Sequence, residues 1–205
     1  MDKLIYLDYN ATTPIDPQVF EVMLPYLKEE YGNPSSVHTL GKKAYKAVQT
    51  AREQTAAMIG CDAHEIIFTS GATESNNLAL KGIFEKYKER GNHIISSIIE
   101  HPSVLDTLEY LRSQGAEITL VPVDKYGTID LEYLKKSVRK ETILISVMFA
   151  NNEIGTIQPI QEIGKIAKSS GIFFHTDAAQ AAGHLKISVY DMGIDLLSFS
   201  AHKFY

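Results

Sequence analysis

The sequence predicts an α/β domain, a mainly parallel sheet flanked by helices. Three observations lead there. From Glu65 onward, short apolar runs alternate with segments of helical length and periodicity. Several of these runs are continuously apolar, such as Ile143-Leu144-Ile145 and Ile172-Phe173-Phe174, as strands covered on both faces require. Each run also exits into a polar, turn-forming segment, and ligands of open α/β sheets bind at the carboxyl ends of the strands.

Taken in order, residues 4–7 read as a short strand, followed by the polar turn Asp8–Pro14. Asp16-Pro17 pairs a capping acid with proline at a first helical position, opening a helix through about Glu30. Gly32-Asn33-Pro34-Ser35-Ser36 breaks it. A second helix spans Val37–Ile59, with Ala44, Ala47, Val48, Ala51, Ala56 and Ile59 at near-helical spacing and Gly60 as its stop. The expected strands are then Ile66–Thr69, His93–Ile98, Glu117–Val121, Thr142–Met148, Ile172–His175 and Asp195–Phe199. The expected helices are Glu74–Arg90, Val104–Gln114, Leu131–Lys136 and Ile160–Ser169.

Composition narrows the function classes. The 205 residues are 44% hydrophobic and 22% charged, ordinary values for a soluble globular chain. A net charge of -5 offers no basic patch for nucleic acid. No apolar run is long enough to span a bilayer, and Met1–Tyr6 has no signal-peptide pattern. The single cysteine, Cys61, rules out an internal disulfide framework and suits a reducing compartment. The expectation is a cytoplasmic protein with no nucleic-acid or membrane partner and no metal site.

The strand exits carry the chemistry. Ser70-Gly71-Ala72-Thr73 opens a helix with small residues, whose free N–H groups attract phosphate, although Thr73 also fits a helix cap. His101 follows the second strand, where a histidine can lie over a planar ligand, shuttle a proton or be structural. Asn151 and Asn152 follow a later strand and can orient a polar ligand or form an Asx turn. Asp177 leaves an apolar strand, either as a helix cap or as a buried carboxylate in need of a cationic partner. Lys203 stands in the polar turn Ser200–Lys203 after the last strand, a position suited to Schiff-base chemistry with an aldehyde. A phosphate cradle, a ring-facing histidine, an acid for a ring nitrogen and a lysine for an aldehyde together match pyridoxal 5'-phosphate.

The segments Tyr6–Pro14, Gly32–His38, Glu65–Asn77, Glu100-His101, Asn151–Gly155, Asp177–Gln180 and Ser198–Lys203 also carry a resemblance. The chain resembles the cysteine desulfurases of the NifS/IscS type, in the class V branch of the aminotransferase superfamily. The resemblance implies a fold-type I pyridoxal-phosphate transferase large domain over residues 16–205, with residues 1–15 joining a smaller domain. It implies that Lys203 binds the cofactor and moves the substrate Cα proton, that Asp177 pairs with the pyridinium nitrogen, and that Gln180 bonds the phenolic oxygen. His101 would stack on the ring and assist proton transfer. Ala72, Thr73, Ser200 and His202 would hold the phosphate, Asn152 would sit beside cofactor and substrate, and Asn10 would lie near the substrate entrance.

The implied reaction converts L-cysteine to L-alanine and leaves the sulfur as a cysteine persulfide. That sulfur would pass to an acceptor or scaffold protein, for iron–sulfur cluster, other sulfur-containing cofactor and tRNA biosynthesis, in a homodimer. In such enzymes the persulfide cysteine and the carboxylate-binding arginine lie beyond the lysine, so the 205 residues are expected to be an N-terminal part. Cys61 is expected to be an inert thiol. A selenocysteine lyase or related C–S lyase, and a non-catalytic cofactor-binding fragment, are the alternatives.

Overall fold

The computed structural model describes residues 5–205, and these form two compact units. One takes the chain through Phe68 together with Ala201–Tyr205; the other is Thr69–Ser200.

In the Thr69–Ser200 unit, five strands form one sheet among the described residues: β1 (His93–Ser97), β2 (Glu117–Val121), β3 (Thr142–Ser146), β4 (Phe173–Asp177) and β5 (Leu196–Ser198). The order is β2-β1-β3-β4-β5 and every pairing is parallel. The chain therefore winds outward both ways from the β1/β3 boundary, which is the switch point where a doubly wound sheet opens a crevice for ligand. All five residues of β1 and of β3 are buried, their polar members His93, Ser96, Ser97, Thr142 and Ser146 included, whereas the edge strand β2 is largely open.

Four helices pack on the sheet, α3 (Ala72–Tyr87), α4 (Pro102–Ser113), α5 (Leu131–Ser137) and α6 (Ile160–Ser170), and α7 (Val189–Met192) packs on α6. Leu80, Ile83 and Phe84 of α3 and Val104, Leu108 and Leu111 of α4 pack with Ile94, Ile143 and Leu144 of the sheet. These sets recur at helical spacing, so each helix buries one stripe. Gly164 of α6 serves a close approach: a Cβ there would stand 2.0 Å from the carbonyl oxygen of Met192. His175 is buried and stitches three strands, its ring nitrogens lying 2.8 Å from Ser146 Oγ and 3.1 Å from Ser198 Oγ. Burial without a charged partner pushes it down to about 3, so it is a neutral crosslink.

The other unit contains α1 (Pro17–Lys28) and α2 (Thr39–Ile59). Asp16 caps α1 through Gln18 N, with proline at its start. Gly60 ends α2 in the left-handed conformation, φ 73. Two expected strands do not form. Leu4 lies outside the described residues and Ile5–Leu7 is irregular. Ile66–Thr69 is also irregular: Ala63–Glu65 makes a 3-10 turn just before it, and the Arg52 guanidinium takes the Ile66 carbonyl that a neighbouring strand would need. Ile67 and Phe68 are 70% and 51% exposed. An apolar run becomes a strand only where a ladder partner accepts it.

Candidate active site

The strand exits of the Thr69–Ser200 unit bring several expected residues together. Asp177 is the last residue of β4, not a helix cap, and is 5% exposed. Ala179 N donates to its Oδ1 at 3.0 Å and Asn76 Nδ2 donates to its Oδ2 at 2.7 Å. Among the described residues no lysine, arginine or histidine forms an ion pair with it. A buried carboxylate held only by neutral donors is a place made for a cation.

His101 follows β1 and caps α4. Its Nδ1 accepts from Ser103 N at 3.1 Å and lies 2.8 Å from Ser103 Oγ. A backbone N–H can only donate, so Nδ1 is the bare nitrogen of the neutral ring and Nε2 carries the proton. The histidine is therefore structural at one nitrogen, while the ring itself is exposed.

The cradle expected for phosphate is partly assembled. Gly71, not Thr73, occupies the cap position of α3, and no side chain caps that helix. Ser200 Oγ lies 3.7 Å from where a Gly71 Cβ would be, so its hydroxyl faces the start of α3 beside Ala72 and Thr73. Glu74 has folded back onto Ser70 N at 2.5 Å. Hydrogen bonds from Ser70 hold its carboxyl below the usual range.

Of the two amides after β3, Asn151 forms the Asx turn: its Oδ1 accepts from Glu153 N at 2.9 Å and Ile154 N at 3.0 Å, and its Nδ2 donates to Ile99 O at 3.0 Å. Asn152 is half-buried with its amide on Glu153 at 2.8 Å, and Gln180 is half-buried in the turn after β4.

The remaining expected residues lie in the other unit, and there they converge. Lys203 Nζ donates to the Asn10 carbonyl at 2.5 Å. Thr13 donates to the His202 carbonyl from N at 3.0 Å and from Oγ1 at 2.9 Å, and His202 Nδ1 is 3.1 Å from Thr12 Oγ1. The lysine turn is thus tied to the Asn10–Thr13 segment across nearly the whole length of the chain.

Sequence reasoning missed Asn76, Ser103 and the role of Glu100. Asn76 is fully buried and shares the apolar stripe of α3 with Leu80, Ile83 and Phe84; a polar residue in that stripe was the available signal. Glu100 is 5% exposed, and its Oε1 accepts from Ser97 Oγ at 2.6 Å and Met148 N at 2.9 Å, joining the exits of β1 and β3. Burial, with Asp177 nearby, pushes it up to about 8. Glu100 therefore keeps its proton at neutral pH and adds no second negative charge beside Asp177.

Fold and site together define an α/β domain whose chemically able residues gather at the carboxyl ends of a parallel sheet. Residues 5–205 match the aminotransferase class-V family, and the chain belongs to that family. It is 55% identical over 205 residues to the cysteine desulfurase IscS of Dictyoglomus turgidum, covering 100% of this chain and 52% of that protein. It is 52% identical to a probable mitochondrial cysteine desulfurase of Dictyostelium discoideum, covering 98% and 45%. The chain therefore spans about half the length of the curated relatives it matches. A solved structure of a NifS-like protein superposes with a TM-score of 0.95 at 44% identity, covering 98% of this chain and 55% of the other. A structure of SspA in complex with cysteine gives 0.93 at 45%, covering 97% and 57%.

Proposed function

We propose that the protein works as a pyridoxal-phosphate-dependent cysteine desulfurase, converting L-cysteine to L-alanine and passing the sulfur, as a persulfide, to a cysteine thiol other than Cys61, the one cysteine of these 205 residues. The observation that carries this reading is Asp177, a buried carboxylate held by neutral donors at the carboxyl end of β4 in a class-V chain. The residues present fit the cofactor. Asp177 would hold its protonated ring nitrogen, the start of α3 with Ser200 and His202 its phosphate, Gln180 its phenolic oxygen and Lys203 its aldehyde carbon. When bound, the cofactor supplies an electron sink for the bond broken at the substrate Cα.

The chain's own residues do the rest. The Lys203 amine takes and returns the Cα proton, a role that requires a free amine positioned at the reacting carbon. His101, with Nδ1 tied to Ser103, holds and moves its proton at Nε2. Asn152 and Asn10 bind and orient the substrate. Cys61 is not assigned the sulfur-accepting role: burial, with Glu65 and Asp62 nearby, pushes its thiol up, away from the reactive thiolate.

The names of the relatives support L-cysteine as substrate, and the reading extends to a homodimer in the cytoplasm that serves an acceptor or scaffold protein in iron–sulfur cluster, other sulfur-containing cofactor and tRNA biosynthesis. Residues 1–15 would join a smaller domain. No helix among the described residues is long and apolar enough to cross a membrane. The test is to load the full-length enzyme that carries these residues with pyridoxal 5'-phosphate, supply L-cysteine and a reductant, and measure both products. Alanine and sulfide in equal amounts are expected; pyruvate or serine in place of alanine would contradict the proposal.

A further inference from the structure

We infer that Asn76 is the positioning residue that sets the Asp177 carboxylate for the cofactor's ring nitrogen and ties it to His101. The inference rests on the reading of Asp177 given above. Asn76 is fully buried, and its Nδ2 spends its two hydrogens on two different elements. One goes to Asp177 Oδ2 at the end of β4, 2.7 Å away, and the other to Ser103 Oγ in the first turn of α4, 3.0 Å away.

The direction of this chain is fixed by chemistry. Reversing the amide would set Asn76 Oδ1 against a carboxylate oxygen, two acceptors with no hydrogen between them. Ser103 Oγ accepts from Asn76, so its own hydroxyl hydrogen points to His101 Nδ1 at 2.8 Å. One neutral amide thus orients both the acid and, through Ser103, the histidine. With Asn76 on Oδ2 and Ala179 N on Oδ1, each carboxylate oxygen has one donor, which fixes the plane of the group.

Two features separate this from ordinary packing. Asn76 Oδ1 is buried with no hydrogen-bond partner among the described residues. A residue placed for stability alone would not leave a buried acceptor unmet, whereas functional sites do so when one end of a side chain has a fixed task. The donor is also uncharged. A lysine or arginine in that place would neutralise Asp177; an amide positions the carboxylate and leaves its charge for a cationic ligand.

The test compares two ligands on the purified protein by absorbance titration: pyridoxal 5'-phosphate and its analogue with the ring nitrogen replaced by carbon. The unsubstituted protein should bind the pyridine form more tightly. Asn76→Leu should weaken that form by about tenfold and the carbon analogue by less than about twofold, so retained analogue binding also reports an intact fold. Asn76→Ala, which introduces no bulk, is read the same way. Equal losses for both ligands, loss of both in both variants, or no loss at all would overturn the inference. Equal binding of the two ligands by the unsubstituted protein would instead remove the reading of Asp177 on which the inference stands.

Discussion

The two units of this chain treat their apolar residues differently. In Thr69–Ser200 the large apolar side chains go inside: Leu80, Ile94, Leu108, Ile143, Ile145 and Phe174 are 2% exposed or less. In the unit that contains α1 they mostly do not. No residue of α1 is buried, and Val19, Phe20, Val22, Met23, Tyr26 and Leu27 all stand open to solvent. Its buried apolar positions among the described residues are few: Ala44, Ala56 and Ile59 of α2, with Ile66. Hydrophobic burial is the main source of folding free energy, so the sheet unit carries its own stability while the α1 unit draws little from its own core. The acid, the capped histidine and the start of α3 stand on the first kind of scaffold; Lys203 is held by hydrogen bonds on the second.

The largest effect expected is on the chemistry. Lys203→Ala should lower desulfurase turnover by roughly 10³–10⁴-fold, the range for removal of a positioned acid–base group, measured as alanine formed from L-cysteine. Stability should separate the two units next. Leu80→Ala should cost about 2–5 kcal/mol in urea unfolding, and Val22→Ala on α1 should stay within about 0.5 kcal/mol. Equal costs would erase the contrast. Asp177→Ala should lower turnover at least about a hundredfold, through loss of one partner of a buried charge pair.

How much of this could be read from the sequence depended on the element. β2 matches its expected bounds, Glu117–Val121, because an alternating run between turn residues has few other solutions. Helices α2 and α6 begin and end within two residues of expectation, helped by Gly60 and Gly171 in left-handed caps. Ile66–Thr69 failed because strand formation depends on a partner that no local pattern reveals. The positions of Asp177, His101 and Lys203 at strand exits were legible in the sequence. Asn76 and Ser103 were not, since their roles arise only when α3, α4 and β4 meet. Asn151 shows the reverse: the Asx turn weighed for that segment is what the residue forms.

A smaller effect links the sheet unit to pH. His175 and His93 are pushed down by burial to about 3 and about 4, from 6.5. The unfolded chain then binds their protons more readily, so stability falls as pH drops below 6.5. Glu100 moves the other way, from 4.5 up to about 8. The folded chain holds a proton that the unfolded chain releases, so its contribution is lost as pH rises from 4.5 to 8. Two histidines outweigh one glutamate below 6.5, which puts the maximum near pH 6.5. Melting temperatures across pH should show it, and Glu100→Gln should flatten the alkaline side; a fall of the same slope in that variant would remove Glu100 from the account. The smallest effect is expected at Cys61: Cys61→Ser should leave both cofactor binding and sulfur release unchanged, and a persulfide found on Cys61 during turnover would reverse its assignment.

The central claim is that Lys203 is the residue that bonds to the cofactor. Borohydride reduction of the protein loaded with pyridoxal 5'-phosphate, followed by peptide mass mapping, tests it directly. The account predicts the cofactor's mass on the peptide that contains Lys203, and its disappearance in Lys203→Ala. Stable fixation on another lysine, with the Lys203 peptide unmodified, would contradict it.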